Sequence, residues 1–154
     1  MPSSSTGPLD LNNDGYAEAV GHDTDGDGTA DEMHIDSNAD GYFETVASDT
    51  TGDGKADAVS IDSNADGHFE TVTLDTTGDG NLDTILEDAD GDGTADEVHI
   101  DSNADGYFET LASDTTGDGN LDTAMIDTTG DRSIDTVAID ANGDGEFETI
   151  YSDS

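Results

Sequence analysis

Residues 36–48 read DSNADGYFETVAS and residues 49–61 read DTTGDGKADAVSI. The same 13-residue frame runs from Asp10 to Ser152 eleven times, without an insertion or deletion. The repeat is D-x-[NDT]-[GAN]-D-G-x-x-[DE] followed by four residues such as TVAI. A period this strict marks an array in which each repeat touches its neighbours only. Position 1 is Asp10, Asp23, Asp36, Asp49, Asp62, Asp75, Asp88, Asp101, Asp114, Asp127 and Asp140. Position 5 is Asp14, Asp27, Asp40, Asp53, Asp66, Asp79, Asp92, Asp105, Asp118, Asp131 and Asp144. Position 9 is Glu18, Asp31, Glu44, Asp57, Glu70, Asp83, Asp96, Glu109, Asp122, Asp135 and Glu148, and position 6 is Gly except for Arg132.

The net charge is −38, with 40 acids set against Lys55 and Arg132, and only 31 % of residues are hydrophobic. On composition alone such a chain cannot bury enough apolar surface to offset the entropy of folding. The placement of the acids argues otherwise, because 35 of the 40 occupy the repeat's positions 1, 3, 5 and 9. Eleven divalent cations would leave a charge of −16, which a folded surface tolerates. The absence of cysteine excludes disulfides and thiolate metal sites. No 18-residue apolar run is present, so membrane insertion is not expected. The acidity disfavours nucleic acids and anionic membranes as partners and selects cations. Residues 1–9 read as a flexible leader, 10–152 as one repeat domain and 153–154 as a tail.

Oxygens at positions 1, 3 and 5 let a short loop curl round a hard cation, and Gly at position 6 allows the reversal. The carbonyl of position 7 and the carboxylate of position 9 complete six or seven oxygen ligands. Calcium takes that set, whereas magnesium demands a tighter octahedron. Position 3 ranks the loops. Asp25 and Asp90 add a fourth carboxylate, Asn12, Asn38, Asn64, Asn103 and Asn142 are amide ligands, and Thr51, Thr77, Thr116 and Thr129 are poor ones. Arg132 makes the tenth loop the weakest. Turn capping by Asp, Asn and Gly is the competing explanation, but it leaves the fixed acid at position 9 without a purpose.

Position 11 is always apolar and position 13 often Ile or Leu, which reads as a short strand with both facing inward. Position 8, always Ala, Phe, Leu or Ile, is expected to plug the base of the loop. Four residues between loops cannot nucleate a helix, so the chain is all-β. The expected architecture is a calcium-stabilised β-solenoid, or β-roll, with two repeats per coil. One repeat per coil and an antiparallel meander are the alternatives. Residues 23–87 and 88–152 are near-copies offset by five repeats, so the repeats are interchangeable.

The D-x-[DN]-x-D-G-x-x-[DE] core resembles the calcium loops of FG-GAP repeats in integrin-type propellers and of thrombospondin type 3 repeats. That resemblance implies calcium held by positions 1, 3, 5, 7 and 9, for example Asp23, Asp25, Asp27, the carbonyl of Thr29, and Asp31. It covers the nine loop residues of every repeat. A propeller blade needs more than 13 residues, type 3 repeats carry cysteines absent here, and an EF-hand needs an acid at position 12. The alternation of calcium turn and short strand is similar in architecture to RTX β-rolls, whose G-G-x-G-x-D motif is missing.

These features lead us to expect about ten or eleven Ca²⁺ per chain and folding coupled to their binding. The expected role is a rigid spacer of a secreted or cell-surface protein. A store or sensor for divalent or lanthanide cations is the rival role. An ice- or surface-binding Thr array at position 10 (Thr45, Thr71, Thr84, Thr110, Thr123, Thr136 and Thr149) is a third reading. No nucleophile–base arrangement or phosphate loop is apparent, so an enzyme is not expected. His22, His34, His68 and His99 are read as surface or packing residues. End-to-end self-association through uncapped ends is the one protein contact expected.

Overall fold

The computed structural model describes residues 4–152. It comprises twelve β-strands and, among the described residues, no helix: β1 (Ser4–Leu9), β2 (Ala19–Asp23), β3 (Glu32–Ile35), β4 (Thr45–Ser48), β5 (Ala58–Ile61), β6 (Thr71–Leu74), β7 (Thr84–Glu87), β8 (Glu97–Ile100), β9 (Thr110–Ser113), β10 (Thr123–Ile126), β11 (Thr136–Ile139) and β12 (Thr149–Ser152). From β3 onward every strand occupies positions 10 to 13 of its repeat. The chain divides into two compact halves, residues 1–82 and 83–154.

In the N-terminal half each of β1 to β6 pairs antiparallel with its sequence neighbours. In the C-terminal half β7 to β12 do the same. Each half is therefore a meander, the alternative to the expected coil. In a solenoid, strands stacked along the axis would run parallel; here the nine-residue loop reverses the chain and closes a hairpin. Residues 4–9 of the expected leader supply β1, which pairs with β2 through a register shift between Ser5 and Gly7. Residues 1–3 and 153–154 lie outside the described residues.

The register decides what each face carries. Position 10 opposes position 13 and position 11 opposes position 12, as in Glu32↔Ser48, Met33↔Ala47, His34↔Val46 and Ile35↔Thr45. Since side chains alternate faces along a strand, positions 11 and 13 point to one face in β3 and to the other in β4. The inward-facing set expected of every repeat is therefore split between two faces. The Thr row is split as well, since Thr84, Thr110 and Thr136 alternate with Ile100 and Ile126 along one ladder row. Thr123 and Thr149 lie on the opposite face, in the row of Ser113 and Ile139.

Among the described residues an apolar core is nearly absent. The buried hydrophobic residues are Ala19, Ala112, Ala124 and Ala138, the last three clustering with Val98 and Leu121. Position 8 is divided: Phe69, Leu82, Ile134 and Phe147 are 40–44 % exposed, whereas the other seven are half-buried and Leu121 packs against the alanine cluster. The most deeply buried side chains are acids instead. Asp36 and Asp62 are fully buried, and Asp23, Asp49, Asp88, Asp101, Asp114, Asp127 and Asp140, all at position 1, are nearly so.

Candidate metal centre

The ladder places the acids at its own ends. The position-9 amide closes six of the hairpins, as in Asp31 N–H to His22 O at 2.8 Å and Asp57 N–H to Ser48 O at 2.8 Å. Position 1 then pairs with position 9 of the repeat two before it: Asp36 N–H donates to Glu18 O at 2.7 Å and Asp62 N–H to Glu44 O at 2.8 Å. Same-edge loops thus abut, acid beside acid. In the N-terminal half this gives one row of Asp10, Glu18, Asp36, Glu44, Asp62 and Glu70, and a second of Asp23, Asp31, Asp49 and Asp57. A groove of about 350 Å³ runs between the loops of the second row, lined by Asp25, Asp31, Asp49 and Thr51. A groove of the same size lies between the loops that carry Asp118, Asp122, Asp140 and Asn142.

Within a loop, each acid has a fixed set of backbone partners. The position-1 carboxylate accepts the N–H groups of positions 4 and 6, for instance Gly52 and Gly54 to Asp49, both at 2.7 Å. Position 3 accepts the N–H of position 5, as in Asp40 to Asn38 at 2.9 Å. Position 5 accepts that of position 7, as in Tyr42 to Asp40 at 2.9 Å. Position 9 accepts that of position 2, as in Ser37 to Glu44 at 3.0 Å. The turn-capping explanation therefore extends to position 9, which sequence reasoning had left outside it. A carboxylate offers about four lone-pair sites, so position-5 acids such as Asp40 and Asp66, each accepting one N–H, keep the most capacity for a cation.

These bonds set the acidities. The Tyr16 hydroxyl, donating to Asp36 at 2.6 Å, holds that carboxyl below the usual range, and Asp36 in turn raises the Tyr16 phenol. Asp62 is pushed up by burial, but the Tyr42 hydroxyl and the amides of Gly67, Ala65 and Asp66 outweigh this and lower it overall. At Asp114, Asp127 and Asp140 burial is likewise outweighed by backbone amides. Thr hydroxyls lower Asp27, Asp31, Asp57 and Asp92. All these carboxyls are favoured in the charged form.

The sequence contains a correlation that only the geometry explains. Every Asn at position 3 accompanies a Glu at position 9, and every Thr or Asp there accompanies an Asp. Asn38, Asn64 and Asn103 each donate Nδ2–H to Oε1 of Glu44, Glu70 and Glu109 at 2.8 Å, and Asn142 pairs with Glu148 in the same way. The longer side chain is needed to meet the amide. In the other class the shorter Asp accepts the backbone N–H of position 3, as in Thr51 to Asp57 at 2.9 Å and Asp25 to Asp31 at 3.2 Å.

Position 7 reaches the next loop along the edge. Besides Tyr16 to Asp36, Tyr42 donates to Asp62 at 2.7 Å and Lys55 Nζ to Asp79 O at 3.2 Å. In the C-terminal half the Arg132 guanidinium lies 5.5 Å from the Tyr107 ring centre. Arg132 adopts φ 71°, and Ala39, Ala65 and Ala104 at position 4 adopt φ between 57° and 62°. Left-handed backbone costs an alanine about 1–2 kcal/mol, part of which glycine returns as unfolded-state entropy. Ala65→Gly is thus expected to raise the thermal midpoint by a few degrees; a lower midpoint would show that the loop does not bear this strain.

The donor set fits a hard cation. One oxygen from each of Asp10, Asp14 and Glu18 lies within 4.8 Å of the others, and the same holds for Asp36, Asp40 and Glu44, and for Asp62, Asp66 and Glu70. In loop 2 the three are Asp23, Asp25 and Asp27. Two oxygens on one calcium, each at about 2.4 Å, cannot stand farther apart than roughly 4.8 Å. Glu18 supplies a second observation. It is 93 % buried, its Oε2 accepts Leu11 N–H at 2.7 Å, and its Oε1 has no hydrogen-bond partner. Comparison with known proteins gives no match to a family model, a curated protein or a solved structure.

Proposed function

We propose that the chain is a calcium-binding structural module. Each loop takes about one Ca²⁺ through the oxygens of positions 1, 3, 5 and 9, and the sheet is rigid once the loops are filled. The observation that carries this reading is the burial of the position-1 acids in continuous rows, with Glu18 Oε1 left unpaired. Buried carboxylates need counter-charge, and in this chain Lys55 and Arg132 are the only Lys or Arg residues. Calcium matches the oxygen-only donor set and its spacing.

Loops of this exposure suit the roughly 0.1–1 mM affinity of extracellular modules, and a spacer in a secreted or surface protein is the role we assign. Native mass spectrometry at saturating calcium tests the assignment directly. Ten or eleven ions per chain are expected, with the loop of Arg132 filling last. A stoichiometry of two or three would mean that the Asp rows serve mainly to cap turns.

A further inference from the structure

Away from the loops, one face of the β2–β3 hairpin carries a different chemistry. Position 10 is Thr or Ala in nine repeats and Glu in two, Glu32 and Glu97. In both cases His follows at position 12, on the same face of the strand: His34 and His99. His34 Nε2 and Glu32 Oε1 are hydrogen-bonded, and His22 is the registered partner of Glu32 on β2. The His22 and His34 ring centres stand 5.3 Å apart with planes at 79°.

Two imidazoles bound to one tetrahedral ion at about 2.0–2.1 Å hold their ring centres roughly 5 Å apart. The strand register has thus brought two imidazoles and a carboxylate to the spacing such an ion requires. The arrangement recurs in the C-terminal half. There Glu87 takes the place of His22, opposite Glu97, and one ligand atom each of Glu87, Glu97 and His99 lies within 4.8 Å of the others. Two carboxylates directly opposed across a ladder repel, and a bridging cation removes that penalty. Phe43 and Phe108 meet His34 and His99 edge-on at 5.6 and 5.4 Å, so both imidazoles are held against an aromatic wall.

We infer that His22, Glu32 and His34 form a site for a zinc-class transition metal, distinct from the oxygen-only loops, and that Glu87, Glu97 and His99 form a second, weaker one. Mixed imidazole and carboxylate ligands select zinc over calcium. The surface or packing role expected of these histidines describes the face without its ion.

The test keeps calcium in saturating excess, so that the loops are occupied, and titrates Zn²⁺ while imidazole nitrogen shifts are followed by NMR. His22 and His34 are expected to move together at the first equivalent and His99 at the second. His68, in a loop, should stay still. His34→Gln is expected to weaken the first equivalent more than about tenfold while calcium stoichiometry and the far-UV spectrum stay unchanged. Equal movement of His68, or zinc affinity indifferent to both His34→Gln and His22→Gln, overturns the site. A failed calcium stoichiometry with His22 and His34 still moving together would remove the loop reading and leave this one.

Discussion

Chelator at low ionic strength is expected to convert the chain from β-structure to coil, and calcium to reverse it. With four alanines as the buried hydrophobic residues, apolar burial at about 25 cal/mol per Å² cannot match a backbone entropy of about 1–2 kcal/mol per residue. What remains is the hydrogen-bonded ladder, opposed by a charge of −38 and by acids abutting along each edge. Two controls separate neutralisation from ligation. Salt at 1 M shortens the screening length to about 3 Å and relieves repulsion without entering the loops. Acid also neutralises, but carboxyls such as Asp36 and Asp62 have folded-state pKa values below their unfolded ones. The stability they contribute is therefore present above the ordinary carboxylate range and lost as pH falls through the lowered values. Neither sodium chloride nor pH 2 should restore the β spectrum as calcium does. A full β spectrum in excess chelator would sink the coupling of folding to metal.

Asp62→Ala is expected to be among the most damaging single substitutions in the N-terminal half. Its carboxylate accepts Ala65 N–H at 2.6 Å, Asp66 N–H at 3.3 Å, Gly67 N–H at 2.9 Å and the Tyr42 hydroxyl at 2.7 Å. Truncation strips the turn of the one acceptor that gathers three of its backbone donors and a phenol, so several bonds are lost together. It also cuts the Tyr42 link to the preceding same-edge loop. Asp66, four residues on, is exposed and accepts His68 N–H at 2.9 Å. Measured with calcium present, Asp62→Ala should lower the melting temperature on the order of 10 °C for a unit of this size, and Asp66→Ala, which removes one cation ligand but a single turn bond, by less. Asp62→Asn, which keeps one acceptor oxygen, should fall between them. Equal effects for Asp62→Ala and Asp66→Ala would show that the loop does not depend on its position-1 carboxylate.

Much of this was legible in the residues. The 13-residue frame, the loop limits and the strands at positions 10 to 13 follow from Asp, Gly and the apolar alternation alone. The direction of strand pairing was not, because a nine-residue loop serves a hairpin or half a coil equally well and the period is identical in both. The face assignment failed with it: antiparallel register sets Met33 against Ala47 and sends successive position-11 residues to opposite sides. The strand over residues 4–9 had no signal, since SSTGPL carries neither apolar alternation nor the repeat. The coupling of Asn38 to Glu44, Asn64 to Glu70 and Asn103 to Glu109 was written in the sequence throughout. It needed the amide-to-carboxylate distance to give it a meaning.

The register that sets position 10 against 13 and 11 against 12 bears on how such a chain changes across generations. A replication slip that gains or loses one repeat inserts or deletes one strand, and every later strand still meets its neighbour in the same pairing. No inside is turned out, because neither face was the inside. A coil of paired repeats would accept such slips two at a time; this sheet accepts them singly. The close match of residues 23–48 to 88–113, an odd five repeats apart, is the kind of inheritance that permits. Length becomes a trait that selection can tune in small steps, at no cost in new architecture.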